Sequence, residues 1–95
     1  MMKLVTAVVQ EEDCGPVSAA LVEAGFHATR VASTGGFLHR GNVTLLIGVE
    51  DVHLALLLDI LRRECHARTS GAGASEVTVG GAVIFVQEIA QYHRI

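Results

Sequence analysis

Residues 3–9, KLVTAVV, decide how this chain folds, because they are rich in β-branched residues and apolar on both faces of a strand. A half-exposed strand alternates apolar and polar side chains, whereas a strand covered on both sides does not. We therefore predict that residues 3–9 form a central strand with both of its faces buried.

A helix is predicted directly after this strand. Asp13 and Gly15-Pro16 open it, since proline is tolerated in the first helical turn, and Gly25 ends it. Between them, apolar residues recur at the spacing of a single helix face, namely Val17, Ala20, Leu21 and Ala24.

Two further strands and a second helix follow. The strands cover residues 26–34 and 43–49, and the helix runs from Glu50-Asp51 to about Cys65. This helix carries two apolar stripes. The first, sufficient for contact with a sheet, contains Val52, Ala55, Leu56 and Ile60. The second, predicted to be deeper core or to cover a neighbouring subunit, contains Leu54, Leu57, Leu58 and Leu61.

The chain ends with a predicted flexible loop at residues 69–75 and a strand at residues 77–86, in which Gly80-Gly81 marks a bulge or bend. The order is thus βαββαβ, which predicts a single α+β domain over residues 1–95 with a ferredoxin-like fold. Both helices would cover one face of the sheet. Because the strands are apolar on both sides, we expect the other face to pack against further copies in a ring-shaped homo-oligomer.

Composition excludes several classes of protein. The chain is 51% hydrophobic and only 18% charged, yet it has no apolar run near the ~20 residues that cross a bilayer. Its start turns acidic at once and has no signal-peptide cleavage site, so we predict a cytoplasmic protein that does not bind membranes. A net charge of −3 argues against DNA or RNA binding. We find no catalytic constellation and no spacing typical of a metal site.

Residues 33–42, STGGFLHRGN, carry the strongest functional signal. Glycine backbone at Gly35 and Gly36 would let a ligand approach closely, and Phe37 and Leu38 could sandwich a planar base. No acidic residue lies between His27 and Thr44, so this region could also meet phosphate. The alternative is a plain hairpin that packs Phe37 and Leu38 into its own core.

Four segments of the chain together resemble the PII-like cyclic di-AMP receptor family. They are MKLVTAVVQ (2–10), FHATRVASTGGFLHRGNVT (26–44), VGGAVIFV (79–86) and YHRI (92–95). The resemblance runs in order over nearly the whole chain. It implies a PII-like homotrimer, with a nucleotide site in each cleft between subunits. It also implies a signal-transduction protein that acts on an unknown regulated protein and is not an enzyme.

The resemblance also implies which residues bind the ligand. Six residues match the family's ligand-contact motif, namely Thr29, Gly36, Phe37, Leu38, Asn42 and Gly48. Gly80 and Gly81 match the segment that approaches the ligand from the adjacent subunit. His27 stands where the family usually has arginine, and Arg94 where it has glutamine. Only residues 66–76 fill the place of a longer family loop.

The sequence thus predicts a trimer that binds cyclic di-AMP or a related adenine nucleotide, with no further cofactor and no metal. The alternative is a trimeric protein-interaction module that is insensitive to nucleotides because its pocket is vestigial.

Overall fold

The structure is a computed structural model that describes residues 1–31, 41–65, 68–70, 77–79 and 81–95. Its strands and helices are, in chain order, β1 (Met2–Gln10), α1 (Glu11–Glu23), β2 (Ala28–Val31), β3 (Asn42–Glu50), α2 (Leu54–Glu64), β4 (Arg68–Ser70), β5 (Val77–Val79) and β6 (Ala82–Glu88). A 3-10 turn, Asp51–His53, precedes α2.

The main sheet confirms the predicted ferredoxin-like fold. Its four strands are antiparallel and lie in the order β2-β3-β1-β6, so the apolar strand β1 is central. Val5, for example, lies opposite Ile47 on one side and Val86 on the other.

The sheet has one face covered by the helices and one face without helices. On the covered face, residues of β1 and β3 are buried together with Val17 and Leu21 of α1. These strand residues are Val5, Ala7, Val9, Val43, Leu45, Ile47 and Val49. The register places Leu4, Thr6 and Val8 on the helix-free face, where they are half-buried. Phe85 and Val83 of β6 share this face and are more than half exposed. A single chain therefore exposes apolar surface on the helix-free face of its sheet.

Helix α1 begins at Glu11, earlier than the predicted start at Asp13 and Gly15-Pro16. The Glu11 amide donates to the carbonyl of Gly41 at 2.7 Å, and three acidic residues occupy the first turn, where they face the positive end of the helix dipole. Pro16 therefore lies in the second turn. The bond that it cannot make would go to the carbonyl of Glu12, in an exposed part of the helix where water can donate instead.

The end of α1 confirms the prediction for Gly25. Gly25 has φ +88°, its amide donates to Val22, and the amide of Phe26 donates to Leu21 at 2.8 Å. This is a Schellman motif, in which glycine is favoured. Because Phe26 belongs to the helix end, β2 begins at Ala28 and not at residue 26 as predicted. Residues 32–34 of that predicted strand lie outside the described residues.

The second apolar stripe of α2 packs into the core, whereas the first stripe, predicted to contact the sheet, is mostly exposed. Leu57 and Leu61 are fully buried and Leu54 and Leu58 pack against the core, whereas Val52 is 82% exposed. From the predicted contact stripe only Ile60 is buried. Both stripes are apolar, so the helical period does not choose between them, and the packing of α2 against the rest of the core does.

The last predicted strand is in fact two strands that belong to different sheets. β5 pairs with β4 in a two-stranded sheet, and β6 pairs with β1. The predicted loop is also partly wrong, because Thr69 and Ser70 lie in β4. Gly81 lies at a bend directly before β6, which starts at Ala82 opposite Val9, and Gly80 lies outside the described residues. Residues 71–76 of the predicted loop lie outside the described residues.

A pair of leucine substitutions tests the observed phase of α2. Leu57→Ala should lower the free energy of unfolding by about 2–5 kcal/mol, since Leu57 is fully buried. Leu56→Ala, the same change one residue earlier, should cost about 1 kcal/mol or less because Leu56 is 49% exposed. Urea unfolding measures both. Equal losses would contradict the assigned phase.

Candidate functional site

A cleft of about 760 Å³ opens at the end of the sheet where β1 begins and β3 ends. This volume lies within the range of small-molecule sites. Segments that are far apart in the sequence line this cleft. The lining residues are Met1 and Met2, residues 24–27, residues 48–50, His53, Leu56 and residues 89–92.

The backbone of Gly48 forms a bare part of the cleft wall. A Cβ atom at this position would lie 3.5 Å from Cε of Met2 and 3.9 Å from Cε2 of Tyr92. The glycine is exposed although it lies within a mostly buried strand. A ligand that contacts this backbone would therefore lie beside a thioether and an aromatic ring.

The Schellman motif at the end of α1 positions the opposite wall. Because the Phe26 amide is bonded back into the helix, the chain turns sharply and Phe26 packs against the core. His27 follows with an exposed side chain at the cleft. Local hydrogen bonds therefore fix the backbone that carries His27.

The two cations at the start of β1, the Met1 ammonium and Lys3, form ion pairs with carboxylates. The Met1 ammonium lies 3.6 Å from Glu50 Oε2 and 3.8 Å from Asp51 Oδ2. Lys3 Nζ lies 3.0 Å from Glu88 Oε1 and 3.5 Å from Asp51 Oδ1. The hydrogen bond to Glu88 raises the pKa of Lys3 above its usual value.

Two histidines can add positive charge to the cleft. His27 and His53 both line it, together with Glu50, the Met1 ammonium and Tyr92. Both side chains are exposed, so their ring nitrogens are accessible to a ligand in the cleft. Protonated imidazoles would favour a phosphate group here.

The described site residues fall into groups at different places on the sheet. His27 and Gly48 line the cleft. Asn42 lies at the other end of β3, opposite Gln10, and Gly81 directly precedes Ala82, which pairs with the neighbouring Val9. Asn42 and Gly48 are six positions apart, which is roughly 20 Å along a strand.

Two further predicted residues lie apart from these groups. Thr29 is opposite Leu46, on the helix-free face. Arg94 is exposed in the terminal segment, two residues after Tyr92. Of the remaining predicted ligand residues, Gly35, Gly36, Phe37, Leu38 and Gly80 lie outside the described residues.

Sequence reasoning did not select His53 and Tyr92, which the cleft brings together with His27. No local motif marks His53, and in the YHRI segment (92–95) only Arg94 was predicted to bind the ligand. The two residues come from different segments and meet only through the fold. The available signal was indirect. Tyr92 is the sole tyrosine of the chain.

The described ranges were also compared with the features of metal sites and of membrane-spanning helices. Among residues 1–31, 41–65, 68–70, 77–79 and 81–95, no cluster of three or more His, Cys, Asp or Glu side chains could hold a metal ion. Neither α1 nor α2, the helices of that part of the chain, is long and apolar enough to cross a membrane.

Comparison with known proteins gives a family match and a structural neighbour. Residues 2–75 match the family described as cyclic-di-AMP receptor. A crystal structure of a functionally unknown protein from Pediococcus pentosaceus ATCC 25745 has a TM-score of 0.79 and 34% sequence identity, and the match covers 99% of this chain and 97% of that one. The family match ends before β5, so β6 and the terminal segment lie beyond it.

Proposed function

The chain belongs to the cyclic-di-AMP receptor family, and on this premise we propose that it binds cyclic di-AMP, or a related adenine nucleotide, as a cytoplasmic signalling protein without enzymatic activity. The observation that carries the proposal is the cleft. It joins two residues selected from the sequence, His27 and Gly48, in a space large enough for a nucleotide.

The cleft supplies the groups that a nucleotide requires. The bare backbone at Gly48 and the ring of Tyr92 suit a flat base, which gains most from close contact with an apolar or aromatic surface. The imidazoles of His27 and His53 suit a phosphate when they are protonated. A ligand with both parts matches this wall better than a purely apolar molecule.

The complete site is proposed to form between three copies of the chain. Asn42 and Gly81 lie at the far end of the sheet from Gly48, so one nucleotide cannot contact both groups within a single chain. Exposed apolar residues on the helix-free face, including Val31, Val83 and Phe85, support packing of these faces against one another. Such packing would bring the far end of one chain toward the cleft of its neighbour.

Calorimetric titration with cyclic di-AMP, cyclic di-GMP, AMP and ATP tests the function. We expect cyclic di-AMP to bind most tightly. Gly48→Leu should weaken binding roughly tenfold or more by filling the space beside Met2 and Tyr92. Gly15→Leu is the matched control, because a Cβ at Gly15 meets nothing within 4 Å. Absence of binding by any nucleotide would refute the proposal and favour a protein-interaction module with a vestigial pocket.

Sedimentation equilibrium tests the assembly. The wild-type chain should be a trimer at micromolar concentration. Phe85→Lys should produce monomers, since it would bury a charge without a partner on the helix-free face. Val52→Lys, on the exposed side of the α2 segment, should leave the trimer intact. A monomeric wild-type protein would exclude a site shared between chains.

The pH dependence of binding tests the role of His27. A histidine that contacts phosphate binds it in the protonated form. Affinity for cyclic di-AMP should therefore decline as the pH rises and an imidazole that contacts the phosphate loses its proton. His27→Arg should keep the charge and flatten this profile.

The control for the pH experiment is His53→Gln, because His53 is the second histidine in the cleft. If His27→Arg keeps the wild-type pH dependence, His27 does not supply the charge. Loss of that dependence only in His53→Gln would assign the charge to His53.

A further inference from the structure

Tyr92 occupies a position that the family match does not explain. It lies in the segment after β6, beyond the matched residues 2–75. The amide of Ile89 donates to the carbonyl of Met2 at 3.1 Å, which ties this segment to the start of β1. As a result Tyr92 reaches the cleft, although it is far from Gly48 in the sequence.

The ring of Tyr92 is presented to the cleft and not buried in the core. Tyr92 is 57% exposed, while Phe26, the other aromatic residue of the wall, packs against the core cluster. Atom Cε2 of Tyr92 would be 3.9 Å from a Cβ on Gly48, so the ring stands beside bare backbone. The exposed ring is thus an aromatic surface at the cleft, on which a flat group can stack.

We propose that Tyr92 is a base-stacking residue of the cleft, against which a purine base lies beside the backbone of Gly48. The inference rests on the proposed nucleotide binding and adds a contact from outside the matched region. Stacking on an aromatic ring is tolerant of base identity. Tyr92 therefore contributes affinity for the base, while selection between nucleotides depends on the polar groups around it.

The charges around the ring of Tyr92 are compatible with a nucleotide whose base stacks on it. His27 and His53 line the same cleft, so the phosphate of a stacked nucleotide has protonatable partners within it. Glu50 also lines the cleft, but the Met1 ammonium lies 3.6 Å from its carboxylate and offsets its charge. The base can stack without placing the phosphate against an unpaired carboxylate at Glu50.

The composition of the chain provides a direct optical test. The protein contains one tyrosine and no tryptophan, so its tyrosine emission comes from residue 92 alone. Titration with cyclic di-AMP should quench this emission along the same curve that calorimetry gives for binding. The Gly48→Leu variant, which retains Tyr92 but should bind weakly, corrects for absorption of the exciting light by the nucleotide.

Two substitutions separate the aromatic ring from the rest of the side chain. Tyr92→Phe keeps the ring and should bind within about threefold of wild type. Tyr92→Leu keeps an apolar side chain without the ring and should bind about tenfold to a hundredfold more weakly. Thermal unfolding of both variants shows whether the loss of affinity occurs in a folded protein. If Tyr92→Leu fails to fold, the wild-type quenching curve still decides the question.

The outcomes distinguish this inference from the proposed function. Calorimetric binding without quenching, or equal affinity of Tyr92→Leu and wild type, would overturn the role of Tyr92 and leave nucleotide binding in place. Equal losses in Tyr92→Phe and Tyr92→Leu would assign the contact to the hydroxyl group and overturn stacking. Absence of binding by the wild-type protein would overturn both proposals.

Discussion

The structure depends on the pairing of β1 with a neighbour on each side. Every residue of Met2–Gln10 has a partner in β3, and residues 3–9 also have partners in β6. Val5, Ala7 and Val9 are almost completely buried beneath the helices as a result. Because both edges of β1 are occupied, its two ends define the two ends of the sheet. The cleft lies at its start, and Asn42 and Gly81 lie at its finish.

The fold was readable from the sequence because its main signals are local. The apolar run at residues 3–9 and the glycine at position 25 each specify a structure without reference to distant residues. The errors arose where a distant contact decides between two local possibilities. Leu56 and Leu57 are equally apolar, and the packing of α2 against the rest of the core places Leu57 inward.

The candidate site was only partly predictable for a related reason. His27 and Gly48 were found through a family motif, and both line the cleft. His53 carries no motif, and Tyr92 was not selected within its YHRI segment (92–95). Hydrogen bonds at the start of β1 and the end of β6 bring both residues to the cleft. The separation of Asn42 from Gly48 along one strand also means that a nucleotide contacting both groups requires a second chain. Ligand affinity and assembly would then be coupled quantities.

The two apolar stripes of α2 have an evolutionary consequence. One added residue in the turn Asp51–His53 would rotate the helix by about 100°. The buried positions of Leu57, Ile60 and Leu61 would then receive Leu56, Asp59 and Ile60, which places a carboxylate against the core. One deleted residue would instead bring in Leu58, Leu61 and Arg62, which places a guanidinium there. Relatives of this chain should therefore keep the length of this turn constant.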